Sequence, residues 1–440
     1  MGVFFGTDGI RGIVNNFLTR DLTIKCGNAV AQEKNNAKIL IGGDTRITRE
    51  FLTDAFSVGA MSAGADVVDI GVCPTSGIAY ITSILDFDYG VVVSASHNPA
   101  KYNGIKVFDE KGVKLGDKKE DSLERRFIHE INNDYLNIGS RKYLPNLTKK
   151  YEEYLKSCCN VKLNGLTIVI DGSNGASYKI APSVFRDLGA KVIAINCHDD
   201  GENINNKCGS MYPEKMCAMV KKYKADIGFA FDGDADRIIA CDENGSILDG
   251  DIIIFMLAKY LKELGKLSRN TVVGTRHTNM GIEKDLEVLG IKLIRTDIGD
   301  KYVIARLEEE NLNLGGEKSG HIIFRDYATT GDGILTGVKL AEMIKTKNKK
   351  VSELAFANLF PQINIDCVVS DKAKVINSEI LNKAIERAQK LLGDNSRIMV
   401  RMSGTEPKIR IMVESKDEIL AQSCADDLEK IVAQIDREFK

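Results

Sequence analysis

Residues 227–237 read IGFAFDGDADR, an apolar run that stops abruptly on three aspartates, Asp232, Asp234 and Asp236. A short continuous apolar run of this kind predicts a strand buried on both faces, as in sheets covered by helices on either side. The same plan occurs in three places. The first stretch runs from AKILIGGDTR (37–46) through SVGAMSAGADVVDIG (57–71) to YGVVVSASHNP (89–99). The second runs from LTIVIDGSNGA (166–176) through VFRDLGAKVIAIN (184–196) to the quoted segment, and the third from TVVGTRHTNMG (271–281) through LEVLGIKLIRTDIGD (286–300) to LNLGGEKSGH (312–321). Each is a strand, a Gly-rich polar loop, an amphipathic helix closed by Gly, and further strand. Such self-similarity marks repeated structural units.

The fold expected is therefore α/β: three similar α/β domains with mixed sheets. Beyond about residue 365 the pattern changes to a helix near 377–392, strands near 396–402 and 408–414, and a last helix from about 417, a smaller C-terminal α+β domain. The expected segments are 1–147, 148–249, 250–364 and 365–440, with YLPNLTKK (143–150) as the clearest linker. Polar loops that follow buried strands are where ligands bind in such sheets. SASHNP, DGDADR and GEKSGH occupy equivalent places and so predict one shared active site in a central cleft.

Bulk properties narrow the class of function. A chain of 440 residues exceeds one hydrophobic core, and 43% hydrophobic with 28% charged residues is the composition of a globular protein. With 60 basic against 62 acidic residues the net charge is -2, so no global field recruits nucleic acid or an anionic membrane. The start MGVFFGTDGIRG lacks a basic, apolar secretory leader, and no apolar run reaches membrane-spanning length. Ten scattered cysteines form no CxxC pair and read as reduced packing residues in a cytoplasmic protein, and five histidines include no HExxH zinc pair.

The loops carry complementary chemistry. Carboxylates about 4 Å apart repel by about 4 kcal/mol at an effective dielectric near 20, so Asp232, Asp234 and Asp236 call for a cation. An all-oxygen site favours Mg²⁺ or Ca²⁺. An EF-hand is excluded, because Arg237 stands where that loop needs Gly and strands flank the turn. Ser96 follows an apolar strand, and Pro99 biases Asn98 away from helix, which sets the serine on a turn. No GxSxG elbow surrounds it. A serine that carries phosphoryl needs a metal and basic groups, which the aspartates with Arg11, Lys106 and Arg237 would provide. RMSGTEPKIR (401–410) combines Arg401, Ser403, Gly404, Thr405 and Arg410 into a candidate phosphate clamp. Glu317 and Ser319 in GGEKSGH suit vicinal sugar hydroxyls, with Lys318 and His321 beside them; a lone histidine is as often a structural hydrogen bonder as a catalyst.

Together and in this order, FGTDGIRG (5–12), SASHNP (94–99), GENINNKCGSMYPE (201–214), DGDADR (232–237), GGEKSGHIIF (315–324), TTGDGILT (329–336) and RMSGTEPKIR resemble the α-D-phosphohexomutase family over nearly the whole chain. NINNKCGS and the GGEKSGHIIF to TTGDGILT stretch favour the bacterial subgroup that interconverts glucosamine 6-phosphate and glucosamine 1-phosphate on the way to cell-wall precursors. Phosphomannomutase and phosphoglucomutase members are the alternative. The resemblance implies a phosphoserine at Ser96 and one Mg²⁺ per subunit held by Ser96, Asp232, Asp234 and Asp236. It also implies Arg11 and Lys106 near the phosphoserine, Glu317 and Ser319 on the sugar, the 401–410 loop on phosphate, a hexose or hexosamine 1,6-bisphosphate as intermediate and activator, and a homodimer. Lys106 and His321 are the candidates for proton transfer.

Two departures bear on the sugar. His277, Thr278 and Asn279 stand where the subgroup carries Met-Ser-Asn, and Lys301 stands where it carries Arg. Two rival readings remain at this level. An apolar strand before DxD also opens haloacid-dehalogenase-like phosphatases, with Asp232 as nucleophile, although Asp236 occupies the place of their usual Thr or Val. A non-catalytic sugar-phosphate sensor could keep the same loops.

Overall fold

Buried apolar strands of the kind read at 227–231 recur as the central members of three sheets: Ile227–Phe231 is buried at every position, as is all but the first residue of both Lys38–Gly43 and Tyr89–Val93. In the computed structural model, which describes residues 4–6, 8–127, 137–403 and 406–438, each repeat runs strand, helix, strand, helix, strand. The first comprises Lys38–Gly43, Arg49–Ser62, Asp66–Val72, Thr75–Ile84 and Tyr89–Val93. The second comprises Thr167–Asp171, Ser177–Asp187, Lys191–Ile195, Glu214–Tyr223 and Ile227–Phe231; the third, Thr271–Thr275, Met280–Val288, Lys292–Thr296, Asp300–Glu309 and Leu314–Gly316. In every sheet the first strand lies between the third and the second, and all pairs are parallel.

An antiparallel strand then returns beside the third strand in each sheet: Tyr102–Phe108, Ile238–Asp242 and Ile322–Phe324. The polar loops SASHNP, DGDADR and GEKSGH are therefore hairpin connections, each pinned at both ends by sheet hydrogen bonds. The sheets are mixed for this reason, as expected. Each first helix closes on a left-handed glycine, Gly64, Gly189 or Gly290, with φ of 84°, 101° and 64°, a backbone that a Cβ would strain.

The chain divides into two compact units, residues 1–277 with 291–356 and residues 278–290 with 357–440. The first holds the three mixed sheets, of seven, five and four strands. The second holds an antiparallel sheet in which Lys408–Ser415 lies between Gln362–Val368 and Ser396–Met402. Its helix Glu418–Glu438 places Ala421, Cys424, Ala425, Leu428, Val432 and Ile435 on one face, in a core shared with Ile409, Ile411 and Val413. Among the described residues, no helix is long and apolar enough to cross a membrane, and the ten cysteines are free thiols.

Candidate functional site

The loop of the first repeat and the loop of the second meet. Ser96 Oγ donates to Asp232 Oδ2 at 2.6 Å, and both residues are completely buried. Ser96 sits at φ 51°, the left-handed region that few non-glycine residues occupy, and such outliers concentrate at functional sites. His97 Nδ1 lies 3.3 Å from the same hydroxyl. Burial, with the charges of Arg237 and Arg11, pushes the His97 pKa down to about 4 and keeps that ring neutral.

Asp232, Asp234 and Asp236 are all buried, and one carboxylate oxygen from each lies within 4.8 Å of the others. Lys106, in the strand Tyr102–Phe108, reaches across to Oδ2 of Asp234 (2.9 Å) and Oδ2 of Asp236 (3.2 Å). Thr75, at the head of its helix, donates through Oγ1 to Asp234 Oδ2 (2.8 Å) and through its N–H to the Asp234 carbonyl (3.0 Å). The opposite oxygens, Asp234 Oδ1 and Asp236 Oδ1, are buried and take no hydrogen bond among the described residues. Two orphaned carboxylate oxygens beside Asp232 and the Ser96 hydroxyl fit a small hard cation.

Electrostatics agree with that reading. Burial and the neighbouring Asp236 and Asp234 charges push the Asp232 pKa well above the carboxylate range. Asp236 is held below it, because the charges of Lys106 and Arg237 outweigh the cost of burial. Lys106 keeps its proton against burial through Asp234, Asp8 and Asp236. Asp8 forms an ion pair with Lys106 (3.1 Å) and accepts from Lys114 (2.8 Å) and Arg11, and Lys114 also reaches Asp300 (3.0 Å). Arg11 thus lies in the cluster, on the strand Gly9–Ile13 whose partner strand carries Lys106.

Arg237 donates its backbone N–H to Asp232 Oδ1 (3.1 Å), while its side-chain Nε stands 3.8 Å from Asp236 and makes no hydrogen bond among the described residues. Its guanidinium has donor capacity to offer an anion. His321 Nδ1 faces Asp236 Oδ1 at 3.6 Å, and its Nε2 accepts the Gly331 N–H at 3.1 Å. Against burial, Asp236 raises the ring's pKa to about 9, yet a nitrogen that accepts a backbone N–H must keep its lone pair. The contact decides for the neutral ring with its proton on Nδ1. Glu317 Oε1 accepts the Gly299 N–H (3.0 Å), and Ser319 is exposed at the tip of the same loop. That loop is pinned by two backbone bonds, the Ile238 N–H donating to the Gly320 carbonyl (3.0 Å) and the Gly250 N–H to the Lys318 carbonyl (3.0 Å).

In the second unit Arg401 pairs in register with Arg410, and burial and the Arg410 charge lower the Arg401 pKa. Ser403 is buried, its carbonyl taking Lys372 Nζ (2.8 Å), and Arg410 also meets Glu406 (3.1 Å). Gly404 and Thr405 lie outside the described residues. In the segment 277–279, Asn279, the residue shared with the subgroup, caps the helix Met280–Val288 and exchanges hydrogen bonds with Phe360 (2.9 and 3.0 Å). Lys301 pairs with Asp117 at 3.0 Å.

Sequence reading did not single out Asp8, Thr75, Lys114, Asp300 or His97 as site residues. Asp8 lies in FGTDGIRG and His97 abuts Ser96, so both were adjacent to a signal. Thr75, Lys114 and Asp300 carry none, because they join the cluster only through folding.

Four domain models match the chain: phosphoglucomutase/phosphomannomutase α/β/α domain I over residues 2–134, domain II over 149–245, domain III over 249–360, and the C-terminal domain over 365–431. Curated relatives named phosphoglucosamine mutase include one from Alkaliphilus oremlandii, 42% identical over 99% of both chains. Another, from Caldanaerobacter subterraneus, is 44% identical over 98% of this chain and 99% of its own. Among solved structures, a phosphoglucomutase/phosphomannomutase family protein from Burkholderia thailandensis superposes with a TM-score of 0.81 at 23% identity, covering 98% of this chain and 97% of that one. The Aspergillus fumigatus N-acetylphosphoglucosamine mutase gives 0.70 at 18% identity, covering 98% and 96%. These last two likenesses concern the fold. With all four domains matched in order and close relatives aligned end to end, this chain belongs to the phosphoglucomutase/phosphomannomutase family, the α-D-phosphohexomutases, and is an enzyme of that isomerase class.

Proposed function

We propose that this enzyme interconverts glucosamine 6-phosphate and glucosamine 1-phosphate, with Ser96 as phosphoryl carrier and a hexosamine 1,6-bisphosphate as the intermediate, in the synthesis of amino-sugar nucleotides and cell-wall precursors. The observation that carries the reading is the Ser96 hydroxyl bonded to Asp232 inside the aspartate cluster. The sugar assignment draws on relatives named phosphoglucosamine mutase at 42 to 44% identity across full length.

Ser96, Asp232, Asp234 and Asp236 are the residues that would hold Mg²⁺, one per subunit. The ion supplies charge neutralisation next to the transferring phosphoryl group. Phosphoserine 96 gives its phosphoryl to the free hydroxyl of the bound monophosphate: the Oγ–P bond breaks, a sugar O–P bond forms, the sugar hydroxyl loses its proton, and the departing serine oxygen gains one. The bisphosphate turns over in the site, and Ser96 recovers the other phosphoryl. Alignment and electrostatics account for most of the acceleration in such transfers. Arg11 and Arg237 offer charge to the phosphoryl oxygens, and Lys106 is the proton donor to the departing Ser96 oxygen. His321, with Nε2 held by Gly331, acts by orienting Asp236 more readily than by moving a proton. Glu317 and Ser319 hold the sugar hydroxyls.

Arg401, Ser403, Gly404, Thr405 and Arg410 take the phosphate that does not react, since two register-paired guanidiniums are relieved by an anion between them. Residues 1–147, 148–249, 250–364 and 365–440 serve as phosphoserine, metal, sugar and phosphate modules. Free thiols at all ten cysteines support a cytoplasmic setting, and a homodimer is proposed on resemblance.

The test supplies purified enzyme, Mg²⁺ and a bisphosphate activator with glucosamine, glucose or mannose 6-phosphate. Glucosamine 6-phosphate is expected to give the highest kcat/KM. A strong preference for mannose 6-phosphate would overturn the sugar assignment and leave the phosphoserine chemistry standing.

A further inference from the structure

The fully buried Arg46 and the NINNKCGS segment have no role in the chemistry above, yet both converge on the backbone that carries Ser96. Arg46 Nε donates to Asp44 Oδ2 (2.9 Å), Nη1 to the carbonyls of Pro99 (2.6 Å) and Tyr102 (2.8 Å), and Nη2 to those of Ser96 (2.9 Å) and Asn98 (2.7 Å). Every N–H of the guanidinium is engaged, four of them on one loop. Asp44 accepts the Ser94 hydroxyl (2.6 Å), whose oxygen takes the Ser96 N–H (2.9 Å). From the second domain, Asn205 Nδ2 donates to the carbonyls of Ser96 (2.8 Å) and Asn98 (3.1 Å), two of the oxygens that Arg46 holds.

A left-handed backbone at a serine is strained and persists only where its surroundings over-determine it. We propose that Arg46 and Asn205 are positioning residues, a two-sided clamp on the Ser96 and Asn98 carbonyls that fixes the Ser96 hydroxyl at Asp232 for phosphoryl transfer. The inference rests on Ser96 being the phosphoryl carrier. Asn205 belongs to the same domain as Asp232, so the clamp ties the serine loop to the domain that presents the aspartates. In-line transfer tolerates little displacement: about 1 Å of misplacement costs about a hundredfold in rate.

The test uses Asn205→Gly and Arg46→Lys in the full chain. Asn205 has φ 58°, so glycine removes the donor without backbone strain. Lysine replaces the five-donor fork of Arg46 with a point charge. Two quantities are read: steady-state kcat and KM with the sugar phosphate, and backbone hydrogen exchange across 96–102. Expected are a kcat lower by about tenfold in Asn205→Gly and about a hundredfold in Arg46→Lys, a KM changed by less than about twofold, and faster exchange across 96–102 with the strand Tyr89–Val93 unaltered. Unchanged exchange, or faster exchange with kcat intact, would overturn the proposal. Should Arg46→Lys fail to fold, Asn205→Gly decides alone. A wild type without turnover would sink the functional reading, while the exchange measurement would still decide the clamp.

Discussion

Ser96 Oγ and Asp232 Oδ2 are 2.6 Å apart although 136 positions separate them in the chain. Each stands on a hairpin loop at the end of a parallel strand, in two repeats with one strand order, so the repeat architecture itself brings hydroxyl and carboxylate together. Everything proposed about chemistry follows from that junction.

Metal binding has a consequence that does not need turnover. Asp234 Oδ1 and Asp236 Oδ1 are buried without hydrogen bonds among the described residues, and a cation that binds only the folded state stabilises it by about 2.7 kcal/mol at a hundredfold excess over Kd. Mg²⁺ should raise the Tm of the wild type by several degrees and leave that of Asp234→Asn nearly unmoved. A chelator should remove the difference and the activity together. Equal Tm shifts in both proteins would count against these ligands.

Replacing Asp232 tests the same junction from the side of catalysis. Asp232→Asn keeps the shape but removes one of the three carboxylate charges available to a cation, and kcat should fall by about 10²- to 10³-fold. The loss should appear in kcat more than in KM, since the carboxylate does not touch the sugar's binding groups in this account. Steady-state kinetics at saturating Mg²⁺ reads it.

Gly331 presses on the His321 ring: a Cβ there would stand 2.5 Å from the ring's Cε1 and Nε2. Gly331→Ala should therefore cost about 1–3 kcal/mol in stability and lower activity by displacing the partner of Asp236. The same substitution in a His321→Ala background should cost much less, a coupling that a double-mutant cycle by chemical denaturation measures.

Asp332 caps the helix Gly333–Lys347, accepting the Leu335 N–H (2.9 Å) and the Tyr151 hydroxyl (2.8 Å), and its burial raises its pKa to about 6. A carboxyl whose folded pKa exceeds its unfolded value near 4 is bound by its proton more tightly in the folded state. Its ionisation therefore removes stability as pH rises from about 4 to about 6, and the loss persists above that. Asp332→Asn keeps the cap and cannot ionise. Its Tm relative to wild type should climb between pH 4 and pH 7 and then level off; a difference independent of pH would contradict the assignment.

Much of this site is legible in the sequence because its chemistry is contiguous. Asp232, Asp234, Asp236 and Arg237 share one loop after one buried run, and Ser96 and His321 occupy the equivalent loops, so apolar periodicity and loop composition identify them together. What composition does not reveal is pairing across the fold. Arg46 reads as an ordinary arginine after GGDT, yet its five donors are committed inside the protein; Thr75 reads as a helix start, yet holds Asp234. The antiparallel return strands were equally hidden, since YNGIKVF and IIACD look like further buried runs without revealing direction. Asp8 shows the same limit: Arg11 on the strand that follows it, Lys106 on the neighbouring strand and Lys114 beyond that strand all converge on it.

The most direct measurement is the position of the covalent phosphoryl group. After brief incubation with Mg²⁺ and a hexose 1,6-bisphosphate labelled with ³²P, the protein is digested and the labelled peptide sequenced. Label is expected on Ser96, lost when an unlabelled sugar monophosphate is added. Acid-stable label elsewhere, or an acyl phosphate on Asp232, would contradict it.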